Sequence, residues 1–248
     1  MMGFEPDTYG EAAADIYDSY YERLVPSPEQ LAALAGFAGK GRLLEVGAGT
    51  GRIAIPLARN GIPVTATDVS RSMLDILRVK CHEGGLDMDI RHVDVARSAV
   101  AGTYAAASCL FNTFFMLGDD LRQRRFLANV HACLEPRGVL ILENFTPGTS
   151  GLGSGDEFVK VKHMSAGRLV IQAIRADREN RVLESQDAII EDGSIRLVPC
   201  VMHYHSAEQI DGMAAEAGFR LRERWSDWQR SAYDDASRKM VSVFEKPA

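Results

Sequence analysis

A glycine-rich turn between an apolar stretch and a helical pattern is the segment best suited to hold a ligand. Residues 43–52 read LLEVGAGTGR. Glycine has no Cβ, so Gly47 and Gly49 can adopt positive φ and let the backbone approach a bound molecule closely. The glycines alternate, however, and Arg52 stands where the Gly-x-Gly-x-x-Gly pattern of dinucleotide-binding proteins has its third glycine. This departure argues against a dinucleotide.

The acidic residue two positions before the first glycine indicates the charge of the ligand. Glu45 would repel a pyrophosphate, because like charges repel, but it suits a cationic group. S-adenosylmethionine carries such a group at its aminoacyl end. Glu45 therefore favours S-adenosylmethionine over NAD.

Polar side chains also follow the next three predicted strands. Asp68 ends the second strand, where a carboxylate can accept hydrogen bonds from both ribose hydroxyls of an adenosine. Asp94 ends the third, where it could accept from the adenine amino group while Val95 offers its amide to the ring. Asn112 follows the fourth and should face the transferring methyl group, although it can equally bond its own loop backbone. Because parallel strand ends meet at one crevice, these residues predict one adenosine-shaped site.

Two further segments offer aromatic, basic and acid–base groups. Tyr17 and Arg23 lie on a predicted helix, where a tyrosine can stabilise a sulfonium and an arginine can pair with the methionyl carboxylate; a plain packing helix is the alternative. His205 precedes another predicted helix and could take the proton from an incoming amine or hydroxyl, or else simply pack. His203 faces the same way as His205, but no third ligand is evident, so no metal site is predicted.

Alternating strands and helices must position these residues. Short apolar runs alternate with amphipathic ones before residue 146, which is typical of βαβ units and a parallel sheet. A glycine- and serine-rich stretch at 146–155 is predicted to be a loop, followed by antiparallel strands and a C-terminal strand pair. The predicted strands are 42–46, 62–67, 88–93, 104–110, 139–142, 158–162, 169–176, 182–191, 194–203, 219–224 and 240–245, and the predicted helices are 53–60, 71–82, 121–134 and 207–217.

Composition limits the class of protein and its partners. The 248 residues are 46% hydrophobic and 25% charged, which is typical of a globular chain. A net charge of −6 disfavours nucleic acid and anionic membranes as partners. No signal-peptide pattern or long apolar run is present, so we predict a cytoplasmic protein. The four widely spaced cysteines are interpreted as reduced packing residues, and the arginines at 122, 124 and 125 as a solvated helix face.

The order and spacing of the motifs between residues 42 and 145 resemble those of the class I S-adenosylmethionine-dependent methyltransferases. The acidic and glycine positions at 45, 47, 49 and 51 match the first motif of that family, and LEPRGV at 134–139 looks like its turn into the fifth strand. The N-terminal segment, the insertion and the C-terminal hairpin resemble its small-molecule branch, with macrolide aminosugar N-methyltransferases similar in layout. The resemblance implies an α/β fold, with a Rossmann-like, seven-stranded, mostly parallel sheet, an antiparallel last strand and an antiparallel β insertion after the fifth strand.

The resemblance also implies an activity and a set of site residues. The expected reaction is methyl transfer from S-adenosyl-L-methionine to N or O, less readily C, of a small-molecule methyl acceptor such as a natural-product or amino-sugar intermediate. Neither a metal, a nucleic acid nor a membrane is expected, and the protein should be a monomer or homodimer. The expected cofactor-binding residues are Tyr17, Arg23, Glu45, Gly47, Ala48, Gly49, Asp68, Val69, Met73, Asp94, Val95 and Phe111, and the expected catalytic residues are Asn112 and His205.

The expected organisation has four parts: a helical cap at 1–40, the cofactor-binding core at 41–150, the insertion as a substrate lid at 151–205, and the rest of the core sheet at 206–248. Two other functions stay open. An NAD(P)-dependent oxidoreductase is disfavoured by Glu45, Arg52 and the lack of a Tyr-x-x-x-Lys pair. A non-catalytic S-adenosylmethionine-binding regulatory protein would keep the pocket without the chemistry.

Overall fold

The computed structural model describes residues 5–147, 156–234 and 236–248. Residues 1–4 of the predicted cap and residues 148–155 of the predicted loop lie outside these ranges. Within them, the strands are β1 (Leu43–Val46), β2 (Val64–Asp68), β3 (Asp89–His92), β4 (Tyr104–Cys109), β5 (Leu134–Phe145), β6 (Glu157–Met164), β7 (Arg168–Asp177), β8 (Val182–Glu191), β9 (Ser194–His203), β10 (Arg220–Trp225) and β11 (Lys239–Glu245). The helices are α1 (Thr8–Ala13), α2 (Tyr17–Tyr20), α3 (Pro28–Ala38), α4 (Ala54–Arg59), α5 (Arg71–Glu83), α6 (Thr113–Met116), α7 (Asp120–Cys133) and α8 (Ala207–Glu216).

The main sheet confirms the predicted architecture. Its strand order is β10-β11-β5-β4-β1-β2-β3, and the pairs among β1 to β5 are parallel. The last strand, β11, is antiparallel to both of its neighbours. One apolar cluster packs α6, α7 and α8 on one face, and a second packs α3, α4 and α5 on the other. The four residues of β1 are all buried because helices cover both faces of the sheet.

Strand β5 extends beyond the predicted 139–142. Glu143 and Asn144 are polar, which suggested that the strand ended at Leu142, yet both are buried and continue the pairing with β11. Burial of Glu143 is possible because its carboxylate finds donors from the C-terminal segment, as described below. The strand therefore carries a buried carboxylate to the edge where the site lies.

Helix starts follow local capping rules. Ser70 accepts a hydrogen bond from the Met73 amide at the start of α5, and Asp119 accepts one from the Arg122 amide at the start of α7. Helix α3 lies within the predicted helical cap at 1–40, but its bounds were not predicted, although Ser27 caps it and Pro28 occupies its first turn, which together form a recognisable start signal.

The continuous N-terminal helix predicted around residues 15–23 is wrong. The segment is divided into α1, a 3-10 turn at Ala14–Ile16, and α2, which ends at Tyr20. Long-range contacts determine its course, because the Tyr20 hydroxyl bonds a carboxylate on the second sheet. Local helical spacing could not reveal that contact.

The second sheet is the predicted antiparallel insertion, with strand order β6-β7-β8-β9. Its inner face packs Val170, Ile189 and Val198 against Ala13 and Ala14 of the N-terminal segment. Its outer face exposes apolar side chains, namely Val159, Val161, Met164, Ile195 and Leu197. The described helices include none that is long and apolar enough to cross a membrane.

Candidate active site

A cavity of about 240 Å³ lies between the carboxyl ends of the parallel strands and the inner face of the second sheet. Tyrosines of the N-terminal segment form part of its wall. The predicted cofactor residues on the wall are Tyr17, Gly47, Gly49, Asp68, Val69, Met73, Asp94, Val95 and Phe111, and Asn112 joins them. The cavity thus brings together most of the residues singled out from the sequence.

The glycine turn shapes one side of this cavity. All three glycines have positive φ, at 74° for Gly47, 55° for Gly49 and 91° for Gly51. A Cβ on Gly47 would lie 2.4 Å from a Thr113 methyl carbon, and one on Gly51 would lie 2.3 Å from a Leu77 methyl carbon. A Cβ on Gly49 would have no described atom within 4 Å, so this glycine leaves its face open to the cavity. Packing therefore requires glycine at positions 47 and 51, whereas Gly49 is available to a ligand.

Glu45 lies just behind this wall rather than on it. The residue is only 4% exposed, and its Oε2 has no hydrogen-bond partner among the described residues. Burial raises the pKa of its carboxyl to about 8, although the nearby Arg52 opposes that rise. Ala48 is also buried behind the wall, where its amide bonds the Thr67 carbonyl at the end of β2.

Arg23 does not lie at the cavity. Helix α2 ends at Tyr20, so the chain turns away and the Arg23 side chain is exposed. Arg52 is the cation found near this end of the site, with its guanidinium carbon 4.7 Å from the Phe111 ring centroid. It also interacts with the carboxyl of Glu45 and the hydroxyl of Tyr17. The prediction for Arg23 fails because the helix that was to position it does not form.

Asp68 is fixed by two backbone amides. Its Oδ2 accepts from Gly49 at 2.8 Å, and its Oδ1 accepts from Ser70 at 2.9 Å. Burial raises the pKa of this carboxyl, while these amides oppose the rise. Each oxygen keeps a second lone pair, so the carboxylate can accept two further hydrogen bonds from a ligand.

Asp94 pairs with Arg122, which the sequence analysis interpreted as part of a solvated helix face. Its Oδ2 accepts from the Arg122 guanidinium at 2.7 Å, and its Oδ1 accepts from the Ala96 amide at 3.0 Å. Arg122 also donates to the Leu117 carbonyl and lines the cavity. The solvated-face interpretation is therefore wrong for Arg122, because the first turn of α7 lies beside the strand ends.

The turn after β4 is held in a left-handed conformation. Phe111 and Asn112 have φ of 54° and 66°, which non-glycine residues rarely adopt. Asn112 Oδ1 accepts from the Phe145 amide at 2.7 Å, so its carbonyl oxygen ties this turn to the end of β5. This oxygen thus bonds the backbone of β5 rather than that of its own loop, while the side chain still lines the cavity.

Glu143 supports the same turn and was missed from the sequence. Its Oε2 accepts from the Phe111 amide at 3.2 Å. Its Oε1 accepts from the Trp228 indole at 3.0 Å and from the Lys239 ammonium at 2.7 Å. A lone acidic residue at the end of an apolar strand is the only sequence signal that could have identified it.

A cluster of tyrosines covers the opening between the two sheets. The hydroxyls of Tyr9 and Tyr21 are 2.9 Å apart, and the Tyr21 ring meets the Phe111 ring edge-on with centroids 5.4 Å apart. Burial raises the pKa of both phenols, so they stay neutral at physiological pH. Tyr9 was not predicted as a site residue, because no helical pattern connected it to the cavity.

His205 lies outside the cavity wall. It is 2% exposed, its ring centroid is 6.4 Å from that of Phe115, and its Nε2 is 3.4 Å from Asp120 Oδ1. Burial lowers the pKa of its imidazole. The packing alternative accounts for this position, because the residues before α8 turn into the apolar core rather than toward the strand ends.

The second sheet contributes a polar wall that no sequence pattern predicted. It includes Lys162, Gln172, Ser185, Asp187 and Cys200. Burial, reinforced by the Asp187 charge, raises the pKa of the Cys200 thiol to about 12, so the thiol stays protonated. Among the residues described, no group of three or more histidine, cysteine or acidic side chains is arranged to hold a metal ion.

Comparisons with known proteins agree with this geometry. A family model described as a methyltransferase domain matches residues 43–138. The structure of the CcbJ methyltransferase from Streptomyces caelestis is 30% identical and superposes with a TM-score of 0.91, covering 99% of this chain and 100% of that one. Cypemycin N-terminal methyltransferase from a Streptomyces species is 26% identical over 246 residues, or 98% of this chain and 99% of its own length.

A more distant structure shows the same fold. An amino pentose methyltransferase from Micromonospora echinaspora, solved with S-adenosylmethionine bound, is 24% identical. It has a TM-score of 0.69 and covers 93% of this chain and 96% of that one. At this identity the likeness concerns the fold.

Proposed function

The chain belongs to the class I S-adenosylmethionine-dependent methyltransferases, and we propose that it transfers the methyl group to a nitrogen atom of a small molecule. The family supplies the reaction type and the cofactor. The residues of this chain must account for the acceptor.

The strand ends fit the cofactor on two observations. Glu45, whose Oε2 is unpartnered, places an acidic group just behind the wall, which suits the cationic aminoacyl end, and the open face of Gly49 leaves room for a close approach. We assign Asp68 to the ribose hydroxyls, and Asp94 with Val95 to the adenine. Bound there, S-adenosylmethionine supplies a methyl group on a positively charged sulfur. The protein then has to hold the acceptor in line with that methyl and exclude water.

The observation that carries the nitrogen assignment is the chemistry of the cavity wall. Its described residues include no histidine, the carboxylates of Asp68, Asp94 and Asp187 on it already accept hydrogen bonds, and its Tyr9 and Tyr21 phenols have raised pKa values. A hydroxyl acceptor needs a base to remove its proton as the new bond forms, whereas a neutral amine attacks through its lone pair. Neutral phenol oxygens can orient an amine by accepting its N–H bonds. The wall therefore suits an amine better than an alcohol.

The size and cover of the cavity support a small acceptor. A volume of about 240 Å³ is below the usual range of about 300–1,000 Å³ for a ligand pocket. We propose that the N-terminal segment (1–40) and the insertion (151–205) act as the cover that selects the acceptor. The name of the cypemycin relative, an N-terminal methyltransferase, also supports transfer to nitrogen. We further propose a cytoplasmic enzyme that acts as a monomer or homodimer.

The test is methyl transfer to matched acceptors. The purified protein is incubated with S-adenosylmethionine and a panel of small primary and secondary amines, each paired with the alcohol of the same skeleton. Release of S-adenosylhomocysteine and the mass of the product are measured. We expect at least one amine to be methylated and its alcohol partner to be inert. Methylation of alcohols or phenols without amines would refute the assignment, and cofactor binding without any turnover would favour the regulatory alternative.

A further inference from the structure

The inner face of β8 carries two polar side chains in an otherwise apolar row. Side chains alternate between the two faces of a strand, so Leu183, Ser185, Asp187 and Ile189 share one face. Leu183 and Ile189 pack in apolar clusters, as an inner sheet face normally does. Ser185 and Asp187 instead line the cavity, although they are only 8% and 6% exposed. Packing alone does not explain polar groups at these positions.

Among the described residues, only one oxygen of Asp187 has partners. Its Oδ2 accepts from the Tyr20 hydroxyl at 2.5 Å and from the Lys162 ammonium at 2.9 Å. Lys162 reaches inward because the β6–β7 register shifts between Val161 and His163. Its ammonium also lies 4.8 Å from the centroid of the Tyr20 ring. Two donors from two separate segments, the N-terminal segment and β6, therefore fix the orientation of this carboxylate.

The second oxygen, Oδ1, is buried and has no hydrogen-bond partner within the described ranges. A buried acceptor without a donor destabilises a protein, because folding removes the water that would otherwise satisfy it. Such an atom on the wall of a binding cavity is explained when a ligand provides the missing donor. The methyl acceptor is the ligand that must occupy this side of the cavity.

Charge and neighbouring groups define the donor. Lys162 already pairs with Asp187, so a second cation at Oδ1 would meet the lysine charge. A hydroxyl avoids this repulsion, since it can donate to Oδ1 and accept from a nearby donor. Gln172 pairs with Asp187 in the β7–β8 register and lines the cavity together with Ser185, and both side chains carry donors. The wall thus offers one acceptor and two donors to the same small group.

We infer that Asp187, with Gln172 and Ser185, binds a hydroxyl group of the methyl acceptor and so orients its nitrogen toward the cofactor. The acceptor is then a hydroxylated amine, with its hydroxyl against the second sheet. This inference rests on the proposed function, because it describes the acceptor wall of the same cavity.

The experiment compares probes that differ by one hydroxyl. Cyclohexylamine is compared with the 2-, 3- and 4-aminocyclohexanols, which share its ring and its amine. Turnover is measured as kcat/KM, and binding to the protein loaded with S-adenosylhomocysteine is measured by saturation-transfer NMR. We expect at least one aminocyclohexanol to exceed cyclohexylamine about tenfold or more, the effect of a hydrogen bond to a charged group. Equal behaviour of all four probes in both assays overturns the inference.

Variants then locate the preference. Asp187→Asn should lower the ratio of kcat/KM for the preferred aminocyclohexanol to kcat/KM for cyclohexylamine at least about tenfold. The control variant Glu184→Gln also replaces a carboxylate by an amide, but on the opposite face of β8, where Glu184 pairs with Arg175. It should leave the ratio unchanged. A preference that survives Asp187→Asn contradicts the inference. If Asp187→Asn does not fold, Gln172→Ala on the facing strand takes its place, and an unchanged ratio there is equally contradictory.

A third variant separates recognition from anchoring. Tyr20→Phe removes the hydroxyl that ties the N-terminal segment to Asp187 but keeps the carboxylate. The hydroxyl preference should persist in this variant, and its loss would show that Asp187 acts only by holding the cover in place. Bound but unmethylated aminocyclohexanols would refute the proposed function and leave the hydroxyl site standing. Methylation of all four amines at equal rates would support the proposed function and refute the hydroxyl site.

Discussion

The buried carboxyl of Glu45 makes the stability of this protein depend on pH in a direction that can be tested. Burial raises its pKa from the ordinary 4.5 to about 8. Below pH 4.5 the group is protonated in both the folded and the unfolded chain. Between pH 4.5 and 8 only the unfolded chain loses the proton, so each pH unit lowers the free energy of unfolding by about 1.4 kcal/mol. Above pH 8 the loss is constant, on the order of 5 kcal/mol.

The substitution Glu45→Gln removes this dependence and keeps the shape of the side chain. The new amide buries polar atoms of its own, which costs about 1–3 kcal/mol at every pH. Because that cost is constant, the unfolding free energy of the variant relative to the parent should rise by about 4 kcal/mol between pH 5 and pH 8. The variant should therefore be less stable than the parent at pH 5 and more stable at pH 8.

Urea unfolding without cofactor, repeated at half-unit steps of pH, measures this difference directly. Glu208→Gln, at an exposed position in the first turn of α8, reports the effect of removing one surface charge. Its unfolding free energy should follow that of the parent at every pH. If the Glu45→Gln and parent curves also run parallel, the carboxyl does not keep its proton in the folded state, and its buried environment has been misunderstood.

Three other predictions concern the cofactor end of the cavity. Binding of S-adenosylhomocysteine at pH 7 should release a proton, because a bound cationic group lowers the raised pKa of Glu45. Calorimetry in buffers of different ionisation enthalpy measures the number of protons released. Methylthioadenosine, which lacks the amino-acid end, should release none. Asp68→Asn should weaken binding of S-adenosylhomocysteine about tenfold or more with little change in Tm. The control Asp75→Asn, on the exposed side of α5, should leave the affinity unchanged. Equal affinities for the parent and both variants would remove Asp68 from the ribose site. Gly47→Ala should lower Tm more than Gly49→Ala, since only the former meets Thr113, while Gly49→Ala should impair cofactor binding more than folding; the reverse order of Tm would contradict this reasoning.

The main sheet was predictable because its signals are local. Strands β1, β4 and β5 contain short apolar runs, and polar residues such as Asp68 mark where a strand ends. The glycine turn was recognisable because its three positive φ values need a residue without Cβ. The caps at Ser70 and Asp119 were likewise visible as single side chains before a helix. In each case the physical cause lies within a few residues of the sequence.

The residues that were missed reach the site from elsewhere in the fold. Arg122 belongs to an arginine run that looks solvated, and only the packing of α7 beside the strand ends gives it Asp94 as a partner. Asp187 sits in a strand whose inward direction depends on the second sheet as a whole. The site predictions for Arg23 and His205 were wrong for the converse reason. Their neighbours had suitable local patterns, but the chain places Arg23 in solvent and His205 in the core. Contacts distant in sequence decided all four.

The hydrogen bonds of Glu143 make the geometry of the turn after β4, on the wall of the cavity, depend on the last part of the chain. No described residue of β10 or β11 reaches the cavity, yet Trp228 and Lys239 hold the carboxylate that holds the Phe111 amide. Shortening the protein ahead of Lys239, or fusing a partner that displaces the final strand, would free the strained turn after β4 from its anchor. Catalysis would then be impaired by damage at the opposite end of the polypeptide, before any cofactor contact had been altered.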